Sequence, residues 1–299
     1  MGGYSGVAAS WKSPGRRAVS RVRTPRLESY SPVVQDTCVC GRRRPISRRE
    51  VLRYAAAAPA AIGLSTLAAT LDVPDAQAAS NIAGMIVFLD PGHNGANDSS
   101  INRQVDNGRG GTKECQTTGT TTDNGYPEHT FNWAVVLGIR AALTQLGVRT
   151  AMSRGNDNAL GPCVDQRAAM ANALNPDAVV SIHADGGPPD GRGFHVNYSH
   201  PPVNDAQAGP TVRFAQIMRD QLVASGLQTS TYRGSDGLYG RSDLAGLNLA
   251  QYPSILIELG NMKNAAEAAQ MQTDSGRALY AGAVTRGIVG YLSEKAGAR

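Results

Sequence analysis

MIVFLDPGHNG, residues 85–95, joins an apolar run from Met85 to Leu89 to a polar turn in which Asp90, Pro91, Gly92, His93, Asn94 and Gly95 follow. A short continuous apolar run bounded by turn residues reads as a strand buried on both faces, and such strands belong to parallel sheets. Two further stretches repeat the pattern: AVVSIHA at 178–184 and SILIEL at 254–259. Between them the spacing is helical. Phe131, Val135, Ile139, Leu143 and Leu146 recur every three or four residues, which predicts a helix over 128–146, with Pro127 in the first turn and Gly147 at its end. The same reading predicts helices over 164–174, 206–224, 265–271 and 278–292, and strands over 148–153 and 193–199. In GFHVNYS, Phe194, Val196 and Tyr198 share one face, and His195, Asn197 and Ser199 share a polar one. Alternating strands and helices predict an α/β fold: a single domain whose mostly parallel, twisted sheet is flanked by helices, with the active site at the carboxyl ends of the strands.

The 299 residues are 41% hydrophobic, enough for a sizeable core. Their net charge of +5 is unevenly spread. Residues 1–78 carry a net +7 and the remainder a net −2, so the basic balance belongs to the leader and gives no reason to expect nucleic-acid binding by the folded part.

In that leader, Ser47-Arg48-Arg49-Glu50-Val51-Leu52 precedes an Ala-rich stretch from Tyr54 to Ala69, and Ala76-Gln77-Ala78 follows. A basic region, a modest apolar region and a small-x-small site make an export signal. The paired arginines resemble a twin-arginine signal over 47–78, cleaved near Ala78. Pro59 and Gly63 interrupt an apolar stretch shorter than the roughly 20 residues of a spanning helix, which argues against a permanent membrane anchor. Residues 1–46, rich in Arg, Ser and Pro, read as a disordered extension or a mis-assigned start, and 79–299 as the folded domain. An exported protein of the periplasm or cell envelope, and a monomer, is expected. Cys38 and Cys40 would leave with the leader, so Cys115 and Cys163 remain as an even pair in an oxidising compartment and are predicted to be bridged.

The segment after His93 differs in kind. From about 96 to 125 it has almost no aliphatic residues and is rich in Gly, Thr, Asn and Asp, so it reads as an insertion loop. It is expected to form a lid or hairpin tied down through Cys115 to Cys163, partly covering the site and regulating access.

Three predicted strands end in an ionisable residue: His93, His183 and Glu258. Parallel strands bring such endings to one rim. Glu128 joins them from the inward face of the first turn of its helix, three residues before Phe131 and seven before Val135. A lone histidine at a strand end is more often a hydrogen-bonded structural residue; the joint placement of the four points to chemistry. Two imidazoles and a carboxylate are the donor set of catalytic zinc hydrolases, in which a fourth position stays open for water. His93, Glu128 and His183 are therefore the candidate metal ligands and Glu258 the candidate general base. Asp90 reads either as a support for a ligand or as turn chemistry. His129 points away from Glu128 around the helix, and His200 precedes two prolines at the surface. His195 is a candidate for lining the cleft. Arg154 reads as a contact for a substrate carboxylate or as an ion-pair partner of Asp157.

With LDPGHNG (89–95), PEHT (127–130), SRGND (153–157), VDQRAAMAN (164–172), AVVSIHADG (178–186), GFHVNYS (193–199) and PSILIELGNMKN (253–264) in this order, the chain resembles the zinc-dependent N-acetylmuramoyl-L-alanine amidases of the amidase type 3 group. The resemblance covers nearly all of the chain after the leader. It implies that the zinc ligands are His93, Glu128 and His183, that Glu258 is catalytic, and that the substrate is peptidoglycan or its muropeptide fragments, cut between N-acetylmuramic acid and L-alanine. Departures lie in the longer segment before Glu128, in Ser153 where threonine is common, and in Asn261-Met262 where an aromatic is frequent. Rival readings are a zinc carboxypeptidase acting on the stem peptide and a catalytically silent wall-binding protein.

Overall fold

The computed structural model describes residues 81–298. The expected extension, signal peptide and cleavage site, with Cys38 and Cys40, lie outside the described residues. Six strands form one sheet: β1 (Ile86–Pro91), β4 (Arg149–Met152), β5 (Ala178–Asp185), β6 (His195–Ser199), β7 (Leu238–Arg241) and β8 (Ser254–Asn261), in the order β4-β1-β5-β8-β6-β7. All neighbours are parallel except β6 and β8. β2 (Gln104–Asp106) and β3 (Thr112–Glu114) form a separate antiparallel hairpin.

Side chains alternate across the sheet. Val87, Leu89, Val180, Ile182, Ile255 and Ile257 face the main core. There they meet α1 (Glu128–Gln145) through Phe131, Val135, Ile139 and Leu143, α4 (Pro210–Ala224) through Phe214 and Met218, and α7 (Asp274–Gly297) through Tyr280, Val284 and Ile288. The opposite face carries Phe88 and Val179, covered by Ala171 of α2 (Val164–Asn172). This second face also carries the polar residues that matter below.

The expected α/β architecture is present, with instructive departures. The predicted helix over 206–224 divides into α3 (Asp205–Ala208) and α4, because Pro210 has no N–H to donate and begins a new helix after Gly209. The last helix runs longer than 278–292; the Thr273 side chain accepts from Gly276 N and starts α7 at Asp274. The polar face of β6 is not turned to solvent, since His195, Asn197 and Ser199 are all buried. Between β7 and β8 lies α5 (Ala245–Asn248), and between β8 and α7 lies α6 (Ala265–Met271).

The insertion is ordered. A 3-10 turn (Ser99–Asn102) leads into the β2–β3 hairpin, and Val105 packs in a small cluster with Cys115, Cys163 and Val164. Cys115 and Cys163 are disulfide-bonded, closing a loop of sequence separation 48.

Candidate active site

β1, β5 and β8 are parallel, so their carboxyl ends share one rim. His93 lies in the turn after β1 with φ 62°, a left-handed conformation that non-glycine residues seldom adopt and that marks a functional constraint. Its Nδ1 donates to the carbonyl of Thr117 at 2.8 Å, which directs Nε2 toward Glu128 Oε2 at 3.0 Å. Glu128 opens α1, and its other oxygen, Oε1, lies 2.9 Å from His183 Nδ1 on β5. The backbone N–H of Thr120 donates to Glu128 Oε2 at 3.0 Å, and that of Ala184 to Oε1 at 3.2 Å. Asn132, one turn along α1, donates to the same Oε1 at 3.3 Å. The two imidazole rings meet edge-on with centroids 4.7 Å apart.

These three side chains fit one metal ion. Each offers a donor atom, and the atoms lie within 4.8 Å of one another. With Nδ1 directed at the Thr117 carbonyl, His93 turns Nε2 toward a carboxylate oxygen, a pairing that either a proton on the ring or a metal ion between the two atoms would satisfy. The electrostatics agree. Burial alone would raise the Glu128 carboxyl, but the imidazoles, His93 foremost, hold it well below its ordinary value. Burial depresses His183, whereas the Glu128 carboxylate overcomes burial at His93 and raises it.

Gly92 makes room for this packing. A Cβ on Gly92 would lie 2.3 Å from Cε1 and Nε2 of His183. Gly119 does the same from above, with φ +79° and a hypothetical Cβ 2.8 Å from both Glu128 Oε2 and His93 Cδ2.

Glu258, near the end of β8, is the register partner of His183 on one side and of His195 on the other. Its Oε2 is buried without a hydrogen-bond partner. Burial first, then the charges of Glu128 and Asp185, push its carboxyl well above its ordinary value, against an opposing pull from Arg241. A carboxyl shifted in that direction holds a proton more readily than an exposed one, as a group that takes and releases protons must. Below His183, on the same sheet face, a cavity of about 130 Å³ reaches between Ser181, Leu256, Arg167 and Leu247.

The remaining candidates fall into place differently. His195 is only 1% exposed, with its ring near those of Tyr232 and Tyr239, and burial draws its pKa down to about 4, so it is neutral. Arg154 is an ion-pair partner, not a free contact for substrate. It is buried, it donates to Asp157 Oδ1 at 2.8 Å and to the carbonyls of Pro91, Asn156 and His129, and its guanidinium lies over Trp133. His129 pairs with Asp157, outside the donor set, and His200 is exposed. Asp90 accepts from Ser153, Ser181 and Arg167 and acts on His183 through its charge.

Arg167 is the residue that sequence reasoning missed. Buried on α2, it donates to the backbone carbonyl of His93 and to Asn94 Oδ1, each at 2.7 Å, and so holds the turn that presents the first imidazole. An arginine on the inward, alanine-lined face of a predicted helix was the signal for it. Thr120 acts through its backbone N–H, and Thr117 through its carbonyl with Oγ1 also 3.3 Å from His93 Nδ1, contacts that sequence spacing does not announce.

Catalytic sites built on a single divalent metal commonly use three protein donors and leave a position open, and His93, Glu128 and His183 form such a set beside the Glu258 carboxyl, which fits the class of hydrolases. Sequence comparison supplies the family. The chain belongs to the N-acetylmuramoyl-L-alanine amidase family, whose model matches residues 87–289. It is 66% identical over 239 residues to the N-acetylmuramoyl-L-alanine amidase Rv3717 of Mycobacterium tuberculosis, a match covering 80% of this chain and 99% of that protein. The crystal structure of the amidase Ami1 from Mycobacterium smegmatis is similar with a TM-score of 0.71 and 70% identity, over 72% of this chain and 99% of that one. The amidase AmiC2 of Nostoc punctiforme, at 23% identity and a TM-score of 0.54 over 70% of this chain and 98% of that chain, shares the fold.

Proposed function

We propose that this chain is a zinc-dependent N-acetylmuramoyl-L-alanine amidase that cuts the amide joining N-acetylmuramic acid to the L-alanine of the peptidoglycan stem peptide. The observation that carries the reading is the convergence of His93 Nε2, Glu128 and His183 Nδ1 beside the unpartnered carboxyl of Glu258. His93, Glu128 and His183 hold the zinc. When bound, zinc supplies Lewis acidity, polarising the scissile carbonyl and lowering the pKa of water toward about 7. Glu258 is the general base: Oε2 takes a proton from the attacking water and hands it to the nitrogen of the leaving L-alanine amine. His195, neutral and buried, is the neighbour of Glu258 across the strand pair.

The setting proposed is extracytoplasmic. The disulfide fits an oxidising compartment, and no described helix is long and apolar enough to cross a membrane. The enzyme acts as a monomer in the periplasm or cell envelope, exported by the twin-arginine route, on peptidoglycan or soluble muropeptides. Its role is in wall remodelling, cell separation or fragment recycling.

The test is digestion of purified muropeptides with and without chelator, with products identified by mass spectrometry and zinc measured in the same preparation. The expected products are a stem peptide with a free L-alanine amino terminus and a saccharide without peptide. Release of the carboxyl-terminal amino acid would make the protein a carboxypeptidase, and muropeptides left uncut would make it a silent wall-binding protein; either result sinks the proposal.

A further inference from the structure

The two cysteines stand at the roots of the two structures that orient the metal-holding side chains. The first root is Cys115. Two residues on, the carbonyl of Thr117 receives His93 Nδ1–H at 2.8 Å, and soon after, Thr120 N–H donates to Glu128 Oε2 at 3.0 Å. Gly119, between them, lies against both ligands so closely that any side chain there would strike them. The second root is Cys163, directly before α2, whose Arg167 donates to the carbonyls of His93 at 2.7 Å and Pro91 at 3.0 Å. His93 needs this hold, because its left-handed backbone is intrinsically unfavourable.

The first of these structures is held by polar contacts, among them Gln116 N–H to Ile101 O and Asn124 to Gln272, and not by an apolar core. QTTGTTTDNGYP, residues 116–127, contains no aliphatic side chain, and its aromatic Tyr126 is only partly buried. A segment without apolar anchors depends on hydrogen bonds and covalent ties for its position. The tie here is Cys115–Cys163, with Cys115 O also accepting from Val164 N at 2.8 Å and Arg103 donating to Cys163 Sγ at 2.9 Å. The disulfide, with the Val164 N–H to Cys115 O hydrogen bond beside it, thus joins the support that aims His93 Nε2 and Glu128 Oε2 to the support that holds the His93 turn.

We infer that the Cys115–Cys163 disulfide is a positioning element of the metal site, setting metal affinity through His93 and Glu128 in addition to its contribution to folding. This rests on the proposed role of those two residues as zinc ligands. Groups that orient metal ligands from outside commonly change metal affinity about 10- to 100-fold when removed.

The test is the zinc affinity of the chain carrying Cys115→Ala and Cys163→Ala, titrated against a competing chelator at a temperature where circular dichroism shows the variant folded. Affinity is expected to fall about 10- to 100-fold relative to wild type, and a folded variant within about two-fold of wild type overturns the inference. Where the alanine pair fails to fold, Cys115→Val with Cys163→Ala retains apolar bulk against Val105 and Val164, and the same two outcomes decide. A wild-type chain that takes up no zinc counts against the proposed function itself; wild-type uptake with an undiminished variant counts against the disulfide's role alone.

Discussion

His183 and Glu258 are register partners on adjacent parallel strands, so the sheet itself, with no loop between, sets the proposed general base beside a proposed metal ligand. The placement is rigid, and removing the carboxyl leaves the donor set untouched. Glu258→Ala is expected to keep zinc at wild-type stoichiometry while turnover of muramyl dipeptide falls by about 10³-fold. Hydrolysis at the native rate by a zinc-loaded variant would refute the assignment.

The state of that carboxyl fixes a pH dependence. Burial, with help from Glu128 and Asp185, raises Glu258 above its ordinary 4.5. A base acts only when ionised, and in zinc-free protein the Glu258 carboxyl, followed by carbon-13 NMR, is expected to ionise along an acid limb lying above 4.5. Asp185→Asn removes one of the raising charges and moves the limb downward. A wild-type limb at or below the ordinary value contradicts the reading.

His195 makes a second, separable pH effect, on stability. Its ordinary value is 6.5 and its folded value about 4. Above pH 6.5 the ring is neutral folded or unfolded; below it the unfolded chain protonates first, so stability is lost as pH falls toward 4, by about 3 kcal/mol for the whole displacement. Denaturant titrations of zinc-free protein across this window should show the loss, and His195→Asn should flatten it. An unaltered slope in the variant would mean that the ring titrates normally in the folded chain.

How much of this was legible depends on how each feature is encoded. β1, β5 and β8 are buried on both faces, which writes them as continuous apolar runs, and α1 is written by its four-residue period. Because parallel strands end together, the sequence pattern alone places His93, His183 and Glu258 at one rim. β7 and α5 have four residues each, too few for periodicity to speak. The polar alternation of β6 suggested a wet face, yet α5 and the hairpin tip cover it: Ser199 donates to Asn248 Oδ1, which also accepts from Arg109. The supports of His93 were illegible for a different reason. Arg167 acts on a distant carbonyl, and Thr117 acts with one, so neither choice of side chain announces the contact.

Close backbone packing gives a sharper test of the donor set than the ligands themselves. Gly92 lies against the His183 ring, where a single methyl would come within 2.3 Å of it. Because the backbone N–H of Gly92 is bonded to Ile182 O at 3.0 Å, the strand pair resists the shift that would relieve the clash. Gly92→Ala is therefore expected to displace the imidazole and weaken zinc binding by about 100-fold, measured by chelator competition. Wild-type affinity in this variant would mean that His183 is not held where the donor set requires it.

The insertion over 96–125 combines two tasks that its two ends separate. At the hairpin tip, Arg109 is latched onto Asn248, Ser199 and the carbonyl of Pro201, roofing the sheet face below His183. Nearer Glu128, Thr117 and Thr120 support the ligands directly. Cutting out the entire insertion removes both and should abolish zinc binding, so it cannot report on access. Arg109→Ala loosens the tip alone. It is expected to leave zinc affinity and muramyl dipeptide turnover unchanged while raising the rate on intact sacculi several-fold. A rate on sacculi that stays the same or drops would show that the hairpin is a fixed wall of the site and not a cover over it.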